Sequence, residues 1–147
     1  LDQATVEEAI HDRVNEVRSS KLEYSTRLGR IARYHSWDMA EGDYYAHESP
    51  DGEGLTDRYR RFGANCRGGE NIFQTWVFEQ TVNYEGKTVT YSSAEELAKG
   101  TVAEWMNSEG HRKNILDSRW TEEGIGVWWV PGEEYGGVRI FITQNFC

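Results

Sequence analysis

Two apolar runs near the C-terminus constrain the fold more than any other feature of this chain. Ile125 to Val130 is continuously apolar, Pro131-Gly132 and Gly136-Gly137 follow, and Val138 to Phe146 is again largely apolar. Two strand-like runs around Gly and Pro read as a β-hairpin. A sheet with one wet face alternates apolar and polar residues. Here apolar residues point both ways, so both faces must be covered. Helices on each side of the sheet meet that need, which predicts three layers.

The remaining segments supply the covering elements. Val6, Ile10, Val14 and Val17 form one apolar helical face, opened by Thr5 with Glu8 as a capping box. A second helix is expected from Ser25 to Glu41, with the stripe Leu28, Ile31, Ala32, His35 and Met39, and with Gly42 closing it. Leu55, Arg58, Tyr59 and Phe62 read as a short third helix ended by Gly63. Asn71 to Phe78 reads as a strand, Asn83 to Lys87 as a turn and Thr88 to Tyr91 as a returning strand. Ser93 with Glu96 opens a fourth helix carrying Leu97, Thr101, Val102 and Trp105. No repeat, low-complexity tract or linker divides the chain. The expectation is therefore one α+β domain over residues 1–147, an α/β/α sandwich around an antiparallel sheet of three to four strands.

Charge narrows the partners. The net charge is −9, from 25 acidic and 16 basic side chains. Such a surface repels phosphate backbones, which argues against nucleic-acid binding. No apolar run reaches the roughly 18 residues of a transmembrane helix. The chain begins at Leu1, which reads as a mature chain whose leader has been removed, so a secreted or extracellular location is expected. Cys66 and Cys147 allow one bridge or two free thiols. The bridge is the favoured arrangement: it would tie down the C-terminus, and it suits an oxidising compartment.

Four histidines are available for chemistry. His11 lies beside Asp12 and Arg13 and reads as solvated; His35 lies on an apolar stripe and reads as a hydrogen-bonded core residue. His47 and His111 each sit in a polar, glycine-containing stretch near an element end, where side chains converge on clefts. Two imidazoles with carboxylates suit zinc or another divalent cation, although no H-E-x-x-H pattern is present. Ser108 precedes His111 by three residues, but no G-x-S-x-G elbow supports acyl transfer. Gly68-Gly69 precedes a strand rather than a helix, so it is not a phosphate-cradling loop.

Several blocks taken together resemble the CAP superfamily, the SCP domain of cysteine-rich secretory, antigen 5 and pathogenesis-related proteins. They are Asn15-Glu16-Val17-Arg18, the stretch from Leu28 to Ala32 with His35 and Asp38-Met39-Ala40, Tyr45-x-His47-x-x-Pro50-x-Gly52, and Arg58 with Gly63. Gly69-Glu70-Asn71-Ile72, Trp105-x-x-Ser108-x-Gly110-His111-Arg112-x-Asn114-Ile115-Leu116, Gly124-Ile125-Gly126-Val127 and Thr143-Gln144-Asn145-Phe146 follow in order. The G-H block has the prokaryotic form. The resemblance implies a sandwich with a central cleft and, in some members, a bound divalent ion. Carried over residue by residue, it makes His47, His111 and Glu70 the cleft set. The family's second glutamate falls on Ser108, with Glu104 and Glu109 as neighbouring substitutes. The stretch from Gln74 to Tyr91 matches no block and reads as an inserted hairpin. Glu70 could also serve structurally, bonding backbone N–H groups near the cleft. Asn71 is expected to be structural, and His111-Arg112 to cap the fourth helix.

Three functions are compatible with these residues. The first is a binding module for a small ligand, lipid, glycan or peptide; Trp76, Trp128 and Trp129 could line its groove, though core packing is the favoured role for each. The second is a metal-dependent, protease-like hydrolase with Glu70 as general base. The third is a structural extracellular domain with a vestigial cleft.

Overall fold

The computed structural model describes residues 2–77, 82–84, 87–89, 93–132 and 137–147. Its elements run α1 (Gln3–Val17), β1 (Glu23–Tyr24), α2 (Thr26–Gly42), α3 (Leu55–Phe62), β2 (Gly69–Val77), β3 (Val82–Tyr84), β4 (Lys87–Val89), α4 (Ala94–Met106), α5 (Glu109–Leu116), β5 (Glu122–Pro131) and β6 (Val138–Phe146). The main sheet has the order β1-β5-β6-β2. β5 and β6 form the expected hairpin, and β2 pairs antiparallel with β6, Glu70 opposite Asn145 and Asn71 opposite Gln144. The sequence did not announce β1, two residues that pair parallel with β5 and make the sheet mixed. β3 and β4 pair as a separate hairpin inside the inserted stretch; its tip at Glu85-Gly86, like the hairpin turn at 133–136, lies outside the described residues.

The strands are apolar on both faces, as the three-layer argument requires. Ile125, Val127, Ile140, Ile142 and Phe146 join Val6, Ile10 and Val14 of α1, Leu97 and Trp105 of α4 and Ile115 of α5 in one core. On the other face Ile72 and Phe141 pack with Met39 and Ala40 of α2. Leu28 and Ile31 of α2 pack with Tyr59 of α3. Each fully buried aliphatic side chain contributes about 1.5–3 kcal/mol. Trp128 and Trp129 pack half-buried against these cores, whereas Trp76 sits half-buried near the Arg139 guanidinium.

The close approach of α2 to β5 rests on two glycines. A Cβ at Gly126 would fall 1.9 Å from the Arg33 backbone nitrogen, and one at Gly124 2.0 Å from that of Gly29. Ser36 then bonds across the contact, donating to the Gly126 carbonyl at 2.8 Å.

Several helix ends differ from expectation. α1 is capped by Asp2, whose carboxylate accepts from the Thr5 backbone, rather than by Thr5 itself. α2 starts at the expected cap Ser25 but ends on Asp43, which adopts the left-handed conformation instead of Gly42. Gly63 ends α3 with φ of 76°, and Ser93 caps α4 through the Glu96 backbone, both as expected.

The disulfide is formed. Cys66 and Cys147 are bonded with Cα atoms 5.8 Å apart. Nearby, the buried Tyr59 hydroxyl donates to the Phe146 carbonyl at 2.7 Å. Among the described residues no helix is long and apolar enough to cross a membrane.

Candidate functional site: the His47–Glu70–His111 cleft

β2 is an edge strand, and its first residues carry a polar cluster on each face. Side chains alternate, so Glu70 and Asn145 point to the α2 side while Asn71 and Gln144 point to the α1 side.

On the α2 side Glu70 is the hub. Its Oε1 accepts from His47 Nδ1 at 2.9 Å. Its Oε2 accepts from Arg58 Nη2 at 2.7 Å and from Asn145 Nδ2 at 2.9 Å. Burial alone would push the Glu70 carboxyl up, but His47, Arg58, His35 and Asn145 together hold it below the usual range. Arg58 also donates to the His47 carbonyl at 3.1 Å, fixing the loop that carries that histidine. A carboxylate can only accept, so His47 Nδ1 carries a proton; in the neutral ring the Nε2 lone pair is then the one left outward. The His47 side chain is 57% exposed while Glu70 is 2% exposed.

The sequence allows Glu70 a structural role through backbone N–H groups; its partners are side chains. Arg58 and Asn145 lie inside the family-like blocks, yet nothing in the sequence marks them as Glu70's partners. A fully buried arginine on a short helix is the available signal. His35 is the core residue expected, donating from Nε2 to the Ala46 carbonyl at 2.9 Å. Burial lowers its pKa below the ordinary imidazole value.

On the other side α5 brings His111 to the strand. His111-Arg112 does not end α4 as expected; it lies in a separate helix, α5. Arg112 still reaches back to cap α4, donating to the Met106 carbonyl at 3.2 Å. Asparagines dock α5. Asn71 donates to the His111 carbonyl at 3.2 Å, and Asn114 donates to the Glu70 carbonyl at 3.1 Å and to Asn71 Oδ1 at 3.0 Å. The structural role expected for Asn71 is met. Burial, then the positive charge of His47, pulls the His111 pKa below the ordinary imidazole value.

Of the three neighbours offered by the sequence as a fourth group, Glu104 lies on α4 and Ser108 and Glu109 stand at the start of α5. Ser108 is the N-cap of α5 and its side chain makes no capping bond. Glu109 is exposed and pairs with Lys113 at 3.1 Å, and Glu104 is exposed on α4. Among the described residues no three His, Cys, Asp or Glu side chains stand together as a metal-holding group. The donor set that could hold a cation is therefore small: the imidazoles of His47 and His111, with Glu70 buried and engaged by three protein donors.

A second histidine–carboxylate pair lies on the α1 face. His11 is not solvated, as its neighbours suggest: His11 Nδ1 and Glu123 Oε2 are 2.6 Å apart. Gln144 donates to Glu123 Oε1 at 2.8 Å and accepts from Asn71 at 3.0 Å, so the pair connects to the strand end that holds the cleft.

The three-layer sandwich is that of an SCP-type domain. The chain belongs to the CAP (cysteine-rich secretory protein) family, whose pattern it matches over residues 11–146. It is similar to the uncharacterized membrane protein YlbC of Bacillus subtilis strain 168, 32% identical over 98% of this chain and 35% of that protein. It also resembles the uncharacterized protein YkwD of the same strain, 32% identical over 71% of this chain and 34% of that protein. The chain thus spans about a third of the length of these relatives. Among solved structures it superimposes on an extracellular SCP-domain protein of Bacillus anthracis str. Ames with TM-score 0.72 and 29% identity, over 98% of this chain and 40% of that one. An outer surface protein of Borrelia burgdorferi shares the fold, with TM-score 0.69 and 15% identity over 99% of this chain and 95% of that one.

Proposed function

We propose that the protein is an extracellular ligand-binding domain that uses His47 and His111 as a paired imidazole grip, rather than a hydrolase with Glu70 as its general base. The observation that carries this reading is the burial of Glu70 behind three protein donors. A general base needs a free lone pair within reach of a substrate or water proton. Glu70 accepts from His47, Arg58 and Asn145, is nearly wholly buried, and is held below the usual carboxylate range. It acts as a positioning residue, fixing the His47 tautomer and ring.

The grip offers Nε2 of His47 and the ring of His111 to a ligand. Small molecules and peptides with polar groups suit two imidazoles, whose ring nitrogens donate or accept according to tautomer. A divalent cation such as zinc also suits them: His47 and His111 would hold it, and solvent or a ligand atom would complete its shell. Bound there, the ion would supply a Lewis-acid anchor for a ligand oxygen. The carboxylate behind His47 is the usual outer-shell support of such a histidine. The Cys66–Cys147 disulfide and the extracellular SCP relative support a location outside the cell.

Calorimetric zinc titration near neutral pH tests the grip, comparing the parent with His47→Ala and His111→Ala. The expected result is micromolar-range binding lost in both variants. A generic casein assay tests the second half of the claim. Turnover that disappears in chelator and in Glu70→Gln would overturn the binding-domain reading in favour of a metal-dependent hydrolase.

A further inference from the structure

A concavity of about 560 Å³ opens beside the disulfide, between α3 and the loop 64–68. Leu55, Thr56, Tyr59, Arg60, Asn65 and Arg67 line it, and none of the cleft residues does. Its charge runs against that of the whole chain. Residues 54–69 carry four arginines and a single acid, Asp57, in a protein of net charge −9.

Two of those arginines are already engaged: Arg58 with Glu70 and Arg61 with Glu53. Asp57 is turned to its own helix start, where it accepts from the Gly54 backbone at 3.0 Å. Arg60 and Arg67 have no carboxylate partner among the described residues. A single unpaired surface arginine needs no explanation. Two from different elements, lining one concavity, concentrate positive potential at a place where the rest of the surface repels anions.

The lining also says which anion. Guanidinium forks match tetrahedral oxyanions with several acceptor oxygens, and two forks favour a dianion over a carboxylate. The Thr56 hydroxyl and the Asn65 amide add neutral donors. The side chains of Leu55 and Tyr59 give an apolar wall for an organic group attached to the anion. We infer that this concavity is a second binding site, separate from the histidine cleft, for a phosphate monoester bearing an apolar group. The shared chemistry has two sources, a soluble phosphate ester or a phosphomonoester lipid headgroup.

Phenyl phosphate is the probe. It is titrated into the intact disulfide-bonded protein at low salt, followed by amide chemical shifts. Saturable shifts are expected within residues 55–68, with binding at least about tenfold weaker in the Arg60→Gln/Arg67→Gln double variant. Both positions are exposed, so the double variant should keep the parent's melting temperature. Arg60→Lys/Arg67→Lys, which keeps the charge and loses the forks, should bind with intermediate strength. His47→Ala should bind as the parent does, so this site can stand or fall independently of the histidine grip. Co-sedimentation with phosphatidic acid–phosphatidylcholine vesicles, abolished in the glutamine variant, would assign the lipid source; phenyl phosphate binding without co-sedimentation would assign a soluble ester. Absence of saturable shifts, equal affinity for benzoate, or unchanged binding in the glutamine variant would overturn the inference.

Discussion

His11 on α1 and Glu123 at the start of β5 meet at 2.6 Å, with Glu123 wholly buried and the His11 side chain 15% exposed. Tyr24 packs edge-on to the imidazole, and Asp12 and Glu8 lie on its own helix. The hydrogen bond to Glu123, outweighing burial and aided by these carboxylates, raises the His11 pKa above its ordinary value. A raised folded-state pKa contributes stability that is fully present below the unfolded value, about 6.5, and is lost as pH rises through the folded value. The urea midpoint should therefore fall between mildly acidic and mildly alkaline buffer. His11→Ala should lose about 3 kcal/mol in the acidic buffer, since it strands a buried carboxylate. It should also flatten that part of the pH profile. An unchanged slope in the variant would assign the dependence to another group.

Gly126→Ala should be severely destabilising. The new methyl would meet helix backbone, which cannot rotate away as a side chain can. A cost of about 3 kcal/mol or more is expected. Thermal unfolding of this variant against Gly110→Ala checks it, because nothing lies within 4 Å of a Cβ at Gly110.

Glu70→Gln should lower stability by about 3 kcal/mol by leaving the Arg58 guanidinium buried without its counter-charge. If His47 and His111 bind zinc, the same variant should bind it roughly 10- to 100-fold more weakly, because the imidazole loses its orienting carboxylate. Measuring both on one preparation separates the structural effect from the positional one: Asn145→Ala, which removes one neutral donor and keeps the Arg58 pair, should cost about 1–3 kcal/mol and largely spare zinc binding.

Reduction of the disulfide should cost about 4 kcal/mol, the chain-entropy expectation for a sequence separation of 81. The Cys66→Ser/Cys147→Ser variant should reproduce the midpoint of the reduced protein. A much smaller shift would mean that Tyr59 and its bond to Phe146 hold the C-terminal strand unaided.

The layered fold is legible in the sequence because both faces of β5 and β6 are apolar, and that pattern has one economical solution. The short parallel strand β1 is not legible, since two residues carry no periodicity. Helix ends are legible where a serine cap or a glycine is decisive, at Ser25, Ser93 and Gly63. At α1 the local capping signal of Thr5 competes with Asp2, and only the backbone path decides between them. The candidate histidines His47 and His111 come from matching ordered blocks. The roles of their supports do not, because Arg58, Asn145 and Asn114 act across sequence separations of 12, 75 and 44 residues. His11 misleads for the same reason: its immediate neighbours are charged, but its partner lies 112 residues away.

The two glycines of β5 set the mechanics of the candidate site. With no room for even a methyl between them, α2 and the sheet form a single stiff plate, and the loop bearing His47 is riveted to that plate through Arg58 and Glu70. α5 is fastened to the same frame by the Asn71 and Asn114 amides, by the buried Ile115 side chain and by Arg18, which donates to the Ile115 carbonyl at 2.6 Å. A ligand held between His47 and His111 would therefore meet two fixed supports and be selected by its shape.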